Sequence, residues 1–184
     1  KRGYQFILTG SSPRKLMRSS PNLLGGRALR RTLYPFMAAE LGAGFSLQRA
    51  LQDGMLPLLY QKKDPQDVLQ AYIHLYLQEE IQAEGLVRSV ENFSRFLEIS
   101  TFSHASILNV TNIARECEVK RKTVENYIEI LEELLLAYRL PVFTKRSKRE
   151  LSAHPKFYLF DAGVFYALRP KGILDKVDEI NGAA

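Results

Sequence analysis

Phe6-Ile7-Leu8 is followed at once by Thr9-Gly10-Ser11-Ser12, an unbroken apolar run that stops against a small polar turn. Such a run, bounded by Gly and Ser, reads as a β-strand covered on both faces, the kind found in parallel α/β sheets. A strand of that kind needs ladder partners and covering helices, and the chain holds too few other strand-like runs to supply them. Residues 1–40 are therefore expected to pack on further polypeptide or on a second copy of the chain, and the chain is expected to be a fragment of a longer protein.

Composition bounds the rest. At 184 residues with 46% hydrophobic and 25% charged side chains, the chain can build one domain or two small ones with a real core. No apolar run approaches the roughly 20 residues of a membrane helix, and no secretory pattern follows the early basic residues. The single Cys117 excludes an internal disulfide and fits a reducing compartment, so the cytoplasm is the expected location and a membrane is not an expected partner. The net charge of +6 is unevenly placed: residues 1–39 carry eight basic side chains and no acid, leaving 18 basic against 20 acidic side chains in the remainder. Attraction for phosphate should start in that N-terminal piece, unless its arginines complement acidic surface on sequence further upstream.

The middle of the chain reads as helix. Asp64-Pro65 is a start signal, an N-cap followed by proline at the first helical position. Val68, Leu69, Tyr72, Ile73, Tyr76, Leu77 and Ile81 then form one apolar stripe. A second helix is expected after Ser89, with Phe93, Phe96 and Leu97 inward. This aromatic spacing is what core packing requires, and a ligand cleft is not needed to explain it.

Residues 107–160 carry the clearest pattern. Thr111 is expected to cap a short helix with Ile113, Ala114 and Cys117 inward; a turn at Glu118-Val119 leads to a longer helix with Val124, Tyr127, Ile128, Leu131, Leu134 and Leu135 inward. Two strand-like runs follow, Ala137–Phe143 and Phe157–Phe160, joined by the basic connection Thr144-Lys145-Arg146-Ser147-Lys148-Arg149. Two helices at a sharp angle followed by a hairpin make a winged helix-turn-helix. Glycine is usual in the turn, so Glu118 must either avoid φ > 0 or accept strain there. Lys120, Arg121, Lys122 and Asn126 suit the tip of a DNA-reading helix, and Lys145, Arg146, Lys148 and Arg149 suit a wing that grips backbone. Glu125, Glu129, Glu132 and Glu133 further along would meet phosphates on deep insertion, so only a shallow, tip-first docking on double-stranded DNA is comfortable. A winged helix used as a protein-contact module is the alternative.

A family resemblance covers essentially the whole chain. It rests on Phe6–Ser12, Leu24-Gly25-Gly26-Arg27-Ala28, Tyr34-Pro35-Phe36 with Ala39-Glu40-Leu41, Gly54-Met55-Leu56-Pro57, and His154-Pro155-Lys156-Phe157-Tyr158-Leu159-Phe160-Asp161. Together these resemble the prokaryotic AAA-type ATPases that carry an uncharacterised C-terminal domain, a winged helix plus a restriction-endonuclease-like fold. That family keeps its phosphate-binding loop and acidic magnesium motif upstream of residue 1, and no G-x-x-x-x-G-K-[ST] occurs here. The resemblance implies that Phe6–Ser12 is a sensor-1 strand, with Ser11 catalytic and Thr9 and Ser12 near the γ-phosphate. It implies that Arg27 neutralises developing phosphoryl charge, in cis or from a neighbouring subunit of a homo-oligomer. It also implies that Pro57 packs on the adenine. Ordinary turn and helix-surface use is the alternative for the Ser and Arg positions.

The fold class expected is mainly α with a winged helix-turn-helix, plus an α/β remnant of an AAA-type core. The expected organisation is 1–44 as the end of the ATPase core, 45–104 as a helical lid, 105–161 as the winged helix and 162–184 as the start of a nuclease-like domain. ATP and Mg²⁺ belong to the intact parent together with its N-terminal ATPase core. No cofactor or metal is assigned to these residues alone. The rival reading is a stand-alone winged-helix DNA-binding regulator, and a third is a non-catalytic interaction module.

Overall fold

A computed structural model describes residues 7, 29, 31–60, 62, 64–73, 81–82, 87–142, 155–170, 172 and 182. Contacts divide the chain into two units, Lys1–Tyr34 and Pro35–Ala184. In the first unit the expected strand Phe6–Ser12 lies outside the described residues except for Ile7, which is exposed. The elements below all belong to the second unit.

Short helices come first: α1 (Ala38–Leu41), α2 (Leu47–Asp53), α3 (Pro57–Tyr60) and α4 (Pro65–Ala71). Each start has a local cause. The Glu40 carboxylate accepts from the Met37 backbone N–H at 2.7 Å, and Ser46 Oγ accepts from the Arg49 N–H at 3.4 Å. Asp64 holds the N-cap position of α4 with Pro65 behind it, as expected, although its side chain makes no capping hydrogen bond. Leu69, Ile73 and Ile81 are buried and Val68 and Tyr72 partly so, while Tyr76 and Leu77 lie outside the described residues. The longer α5 (Val90–Thr101) starts at Ser89, whose Oγ accepts from the Asn92 N–H at 3.1 Å, and it buries Phe93, Phe96 and Leu97.

The segment that follows runs β1 (Ser106–Ile107), α6 (Val110–Glu116), α7 (Arg121–Glu133), β2 (Ala137–Leu140), β3 (Lys156–Leu159). The described residues are mainly helical, with one three-stranded antiparallel sheet of order β1-β3-β2. Its register sets Ser106 opposite Phe157, Tyr138 opposite Tyr158 and Leu140 opposite Lys156. One expectation is corrected: Asn109, not Thr111, caps α6. The Asn109 amide oxygen accepts from the Asn112 N–H at 3.0 Å, and Thr111 sits inside the first turn. Asparagine caps at least as well as threonine and lies where the chain turns into the helix.

Helices α6 and α7 both end in Schellman motifs. Val119 N–H reaches Ala114 C=O at 3.0 Å and Glu118 N–H reaches Arg115 C=O; Leu136 and Leu135 repeat the pattern on Leu131 and Glu132. The motif places its C′ residue in the left-handed region, and here that residue is Glu118 (φ 57°) and Leu135 (φ 62°). The strain foreseen at the α6–α7 turn is therefore real, on the order of 1 kcal/mol for a residue with a Cβ. Glu118 also pairs with Arg95 of α5 at 3.1 Å, an exposed contact too weak to offset that cost.

A final helix, α8 (Ala162–Leu168), packs on α2, α4, α5 and β3. One hydrophobic core runs from Leu56 and Leu59 through α5, α6 and α7 to Phe157, Leu159, Val164 and Phe165. Phe93, Phe96 and Tyr127 form its aromatic centre, with Tyr127 at 5.1 and 5.3 Å from the two phenyl rings. Val164 and Phe165 of α8 are as buried in this core as Val124 and Leu131 of α7.

Candidate nucleic-acid interface

The only expected site residues that come together among the described residues lie at the start of α7. Lys120 is its N-cap, in extended conformation and without a side-chain cap bond. Arg121, Lys122 and Asn126 follow within two turns, and all four are exposed. The turn closed at Glu118 sets the helix axis, and burial of Val124, Tyr127, Ile128 and Leu131 fixes its rotation. The basic first turn is left facing solvent.

That first turn has an unusual charge pattern. Anions favour a helix N-terminus and cations oppose it, by a few tenths to about 1 kcal/mol each. Helix α7 nevertheless has three consecutive cations there and no acid in its first turn. Glu125 supplies part of the missing anion: its carboxylate meets Arg121 Nε at 3.1 Å and Lys122 Nζ at 3.8 Å. Both cations remain largely exposed, at 67% and 84% of their side-chain surface.

The acidic face is less uniform than the sequence suggests. Glu132, expected to face outward, is turned onto β2, where it accepts from the Arg139 backbone N–H at 3.1 Å and from its Nε at 2.8 Å. The same contact covers a backbone donor on edge strand β2. Glu129 is exposed, as expected.

The remaining expected residues divide in two. Pro57 opens α3 and is exposed. Thr9, Ser11, Ser12 and Arg27, and the wing residues Lys145, Arg146, Lys148 and Arg149, lie outside the described residues.

Three further polar or titratable side chains are buried in the core. Asp161 is buried; its Oδ1 caps α8 by accepting from the Val164 N–H at 3.1 Å, while Oδ2 accepts from the Met55 N–H at 2.7 Å. Burial pushes its carboxyl above the ordinary value of 3.8, against the opposing pull of backbone N–H groups of Met55, Val164 and Gly163. His104 is buried against β3, accepts from the Leu159 N–H through Nδ1 at 3.0 Å, and stacks on Phe165 with ring centroids 4.4 Å apart. Both link chain segments far apart in sequence. Cys117 is buried, and desolvation raises its thiol pKa, which suits packing and not nucleophilic chemistry.

A groove elsewhere is lined by Gln52, Asp53, Gln66, Asp67, Gln70 and Tyr166. Its carboxylates give it the wrong charge for a phosphate ligand. Among the described residues no group of three or more His, Cys, Asp and Glu side chains is placed to hold a metal ion, and no helix is long and apolar enough to cross a membrane.

The family model described as Domain of unknown function (DUF8612) matches residues 45–175. No curated protein and no solved structure matches the chain.

Proposed function

Given that the chain belongs to that family, we propose that residues 90–159 work as a winged helix-turn-helix that docks on the backbone of duplex DNA. One observation carries the reading: helix, short strand, helix, turn, helix and two strands follow in that order, with sheet order β1-β3-β2, and an exposed Lys120-Arg121-Lys122 tip heads the second helix of the pair. Three cations opposing the helix dipole cost stability, and an external polyanion is the partner that would recover it. The basic connection Lys145–Arg149 joins β2 to β3 and would be the wing. The order of the N-terminal motifs supports placing this module in the C-terminal portion of an ATP-binding AAA-type protein. In such a protein ATP and Mg²⁺ would be held mainly by sequence upstream, and Ser11, Arg27 and Pro57 would serve the nucleotide.

A tip-first dock reads phosphates, not bases. Binding should be weak, nearly independent of sequence and steeply dependent on salt. About four phosphate contacts give a log–log salt slope near −3.6, at roughly −0.9 per contact. Replacing Lys145, Arg146, Lys148 and Arg149 with alanine should flatten the slope and weaken binding to all duplexes alike, as read by fluorescence anisotropy over a salt series.

The second reading, a protein-contact module, draws on a different observation. The outer face of the sheet exposes Ile107, Tyr138 and Leu140, with the Tyr138 and Tyr158 rings stacked at 5.3 Å. Undetectable binding to duplex DNA at low salt would favour that reading.

A further inference from the structure

We infer that Glu125 is an internal counter-anion that occupies the position of a DNA phosphate and must be displaced when α7 docks; the inference rests on the DNA-docking reading above. The geometry is that of a substitute ligand. One carboxylate faces two of the three tip cations, with Oε1 on Arg121 and Oε2 on Lys122, 3.1 and 3.8 Å away. Its two oxygens thus satisfy the cations much as two phosphate oxygens would. Spacings of four and three residues hold the carboxylate over the first turn at little entropic cost. Glu125 is half-buried, whereas Arg121 and Lys122 are open to solvent, so the cations can swing outward while the carboxylate stays behind.

Two consequences follow from displacement. Breaking the Glu125 contacts subtracts from the affinity that the basic tip would otherwise give. Once the cations turn to DNA, the bare Glu125 carboxylate stands beside the phosphates and repels them. Glu125 therefore limits affinity, and it does so through Arg121 and Lys122. A general repulsion from the acidic helix face, to which Glu129 contributes, would not depend on those two cations.

The test compares duplex binding by the wild type, Glu125→Gln, Arg121→Ala/Lys122→Ala and the triple variant, each over a salt series, with circular dichroism to confirm the fold. Glu125→Gln should tighten binding on the order of 3- to 10-fold at low salt while leaving the log–log slope nearly unchanged, because both cations turn to phosphates in either protein. In the Arg121→Ala/Lys122→Ala background the same substitution should change little. If Glu125→Gln leaves affinity unchanged or lowers it while the wild type binds, the inference fails and the docking reading stands. An equal gain in both backgrounds also overturns it, because the effect would then be plain repulsion. If neither the wild type nor Glu125→Gln binds, the docking reading and this inference fall together.

Discussion

Gly163→Ala should cost about 3 kcal/mol or more of stability, the upper end of what overpacking does, and lower the melting temperature by roughly 10 °C. A Cβ at residue 163 would lie 2.2 Å from the Asp53 carbonyl oxygen, 2.5 Å from its carbon and 2.8 Å from the Gly54 nitrogen. Every one of those atoms is backbone, so no rotamer change can relieve the clash, and α8 would have to leave α2. That separation would also pull Asp161 from the Met55 N–H and loosen Val164 and Phe165 in the core. Gly54→Ala should be comparably harmful for a different reason. Its Cβ would meet Asp161 Oδ1 at 2.1 Å, and its φ of 83° suits glycine alone. Adding Asp161→Ala would remove that clash but leave the backbone strain and delete the cap of α8, so the double variant should be no more stable than Gly54→Ala. A thermal melt of each variant reads the effect; a Gly163→Ala protein as stable as wild type would contradict the close helix contact.

Asp161→Ala should cost about 2–3 kcal/mol, the sum of a lost helix cap and a backbone N–H left without its acceptor. The pH dependence has a definite sign. Burial raises the folded-state pKa above the ordinary 3.8, so in the window between the two values the folded chain holds a proton that the unfolded chain has released. Acid therefore favours folding through this group, and the contribution falls as pH rises from 3.8 through the raised value. Asp161→Asn does not titrate. The stability difference between wild type and Asp161→Asn should shrink with rising pH across that window and then level off. A difference that widens with pH would mean that the three N–H groups outweigh desolvation and hold the carboxyl low.

Helices α5, α6 and α7 were legible because their signals are local. Val124, Tyr127, Ile128 and Leu131 repeat at helical spacing, and Ser89 stands four residues before Phe93, the first of the inward set Phe93, Phe96 and Leu97. Even the strain at Glu118 could be anticipated, because the α6–α7 turn has one residue where φ must be positive and the chain offers no glycine. Strand β1 was not legible: two exposed residues, Ser106 and Ile107, carry no periodicity and become a strand only through pairing with Phe157 and Lys156. Ile130 was missed because α7 buries a wider arc than one stripe, taking it in beside Leu131.

The misassigned residues are those whose roles are set by distant partners. Glu132 is acidic and lies among other glutamates, and only the return of β2 brings Arg139 to it. Gly54 and Asp161 belong to motifs that resemblance assigned to different domains, yet they meet in one hydrogen-bonded clamp between the ends of α2 and α8. No spacing rule could pair Met55 with Asp161, 106 positions apart. Lys120, Arg121 and Lys122 were legible as a cluster, but the counter-ion that Arg121 and Lys122 share was not, since Glu125 reads equally well as a plain exposed acid.

The central claim is that α7 meets DNA by its tip, and a nuclear magnetic resonance titration of ¹⁵N-labelled protein with a short duplex tests it most directly. The account predicts that at low salt the shifts concentrate on the amides of residues 119–126 and of the connection 143–150, are alike for unrelated duplex sequences, and vanish as salt is raised. Shifts confined to Ile107, Tyr138 and Leu140 on the outer sheet face, or no shifts at all, would contradict it.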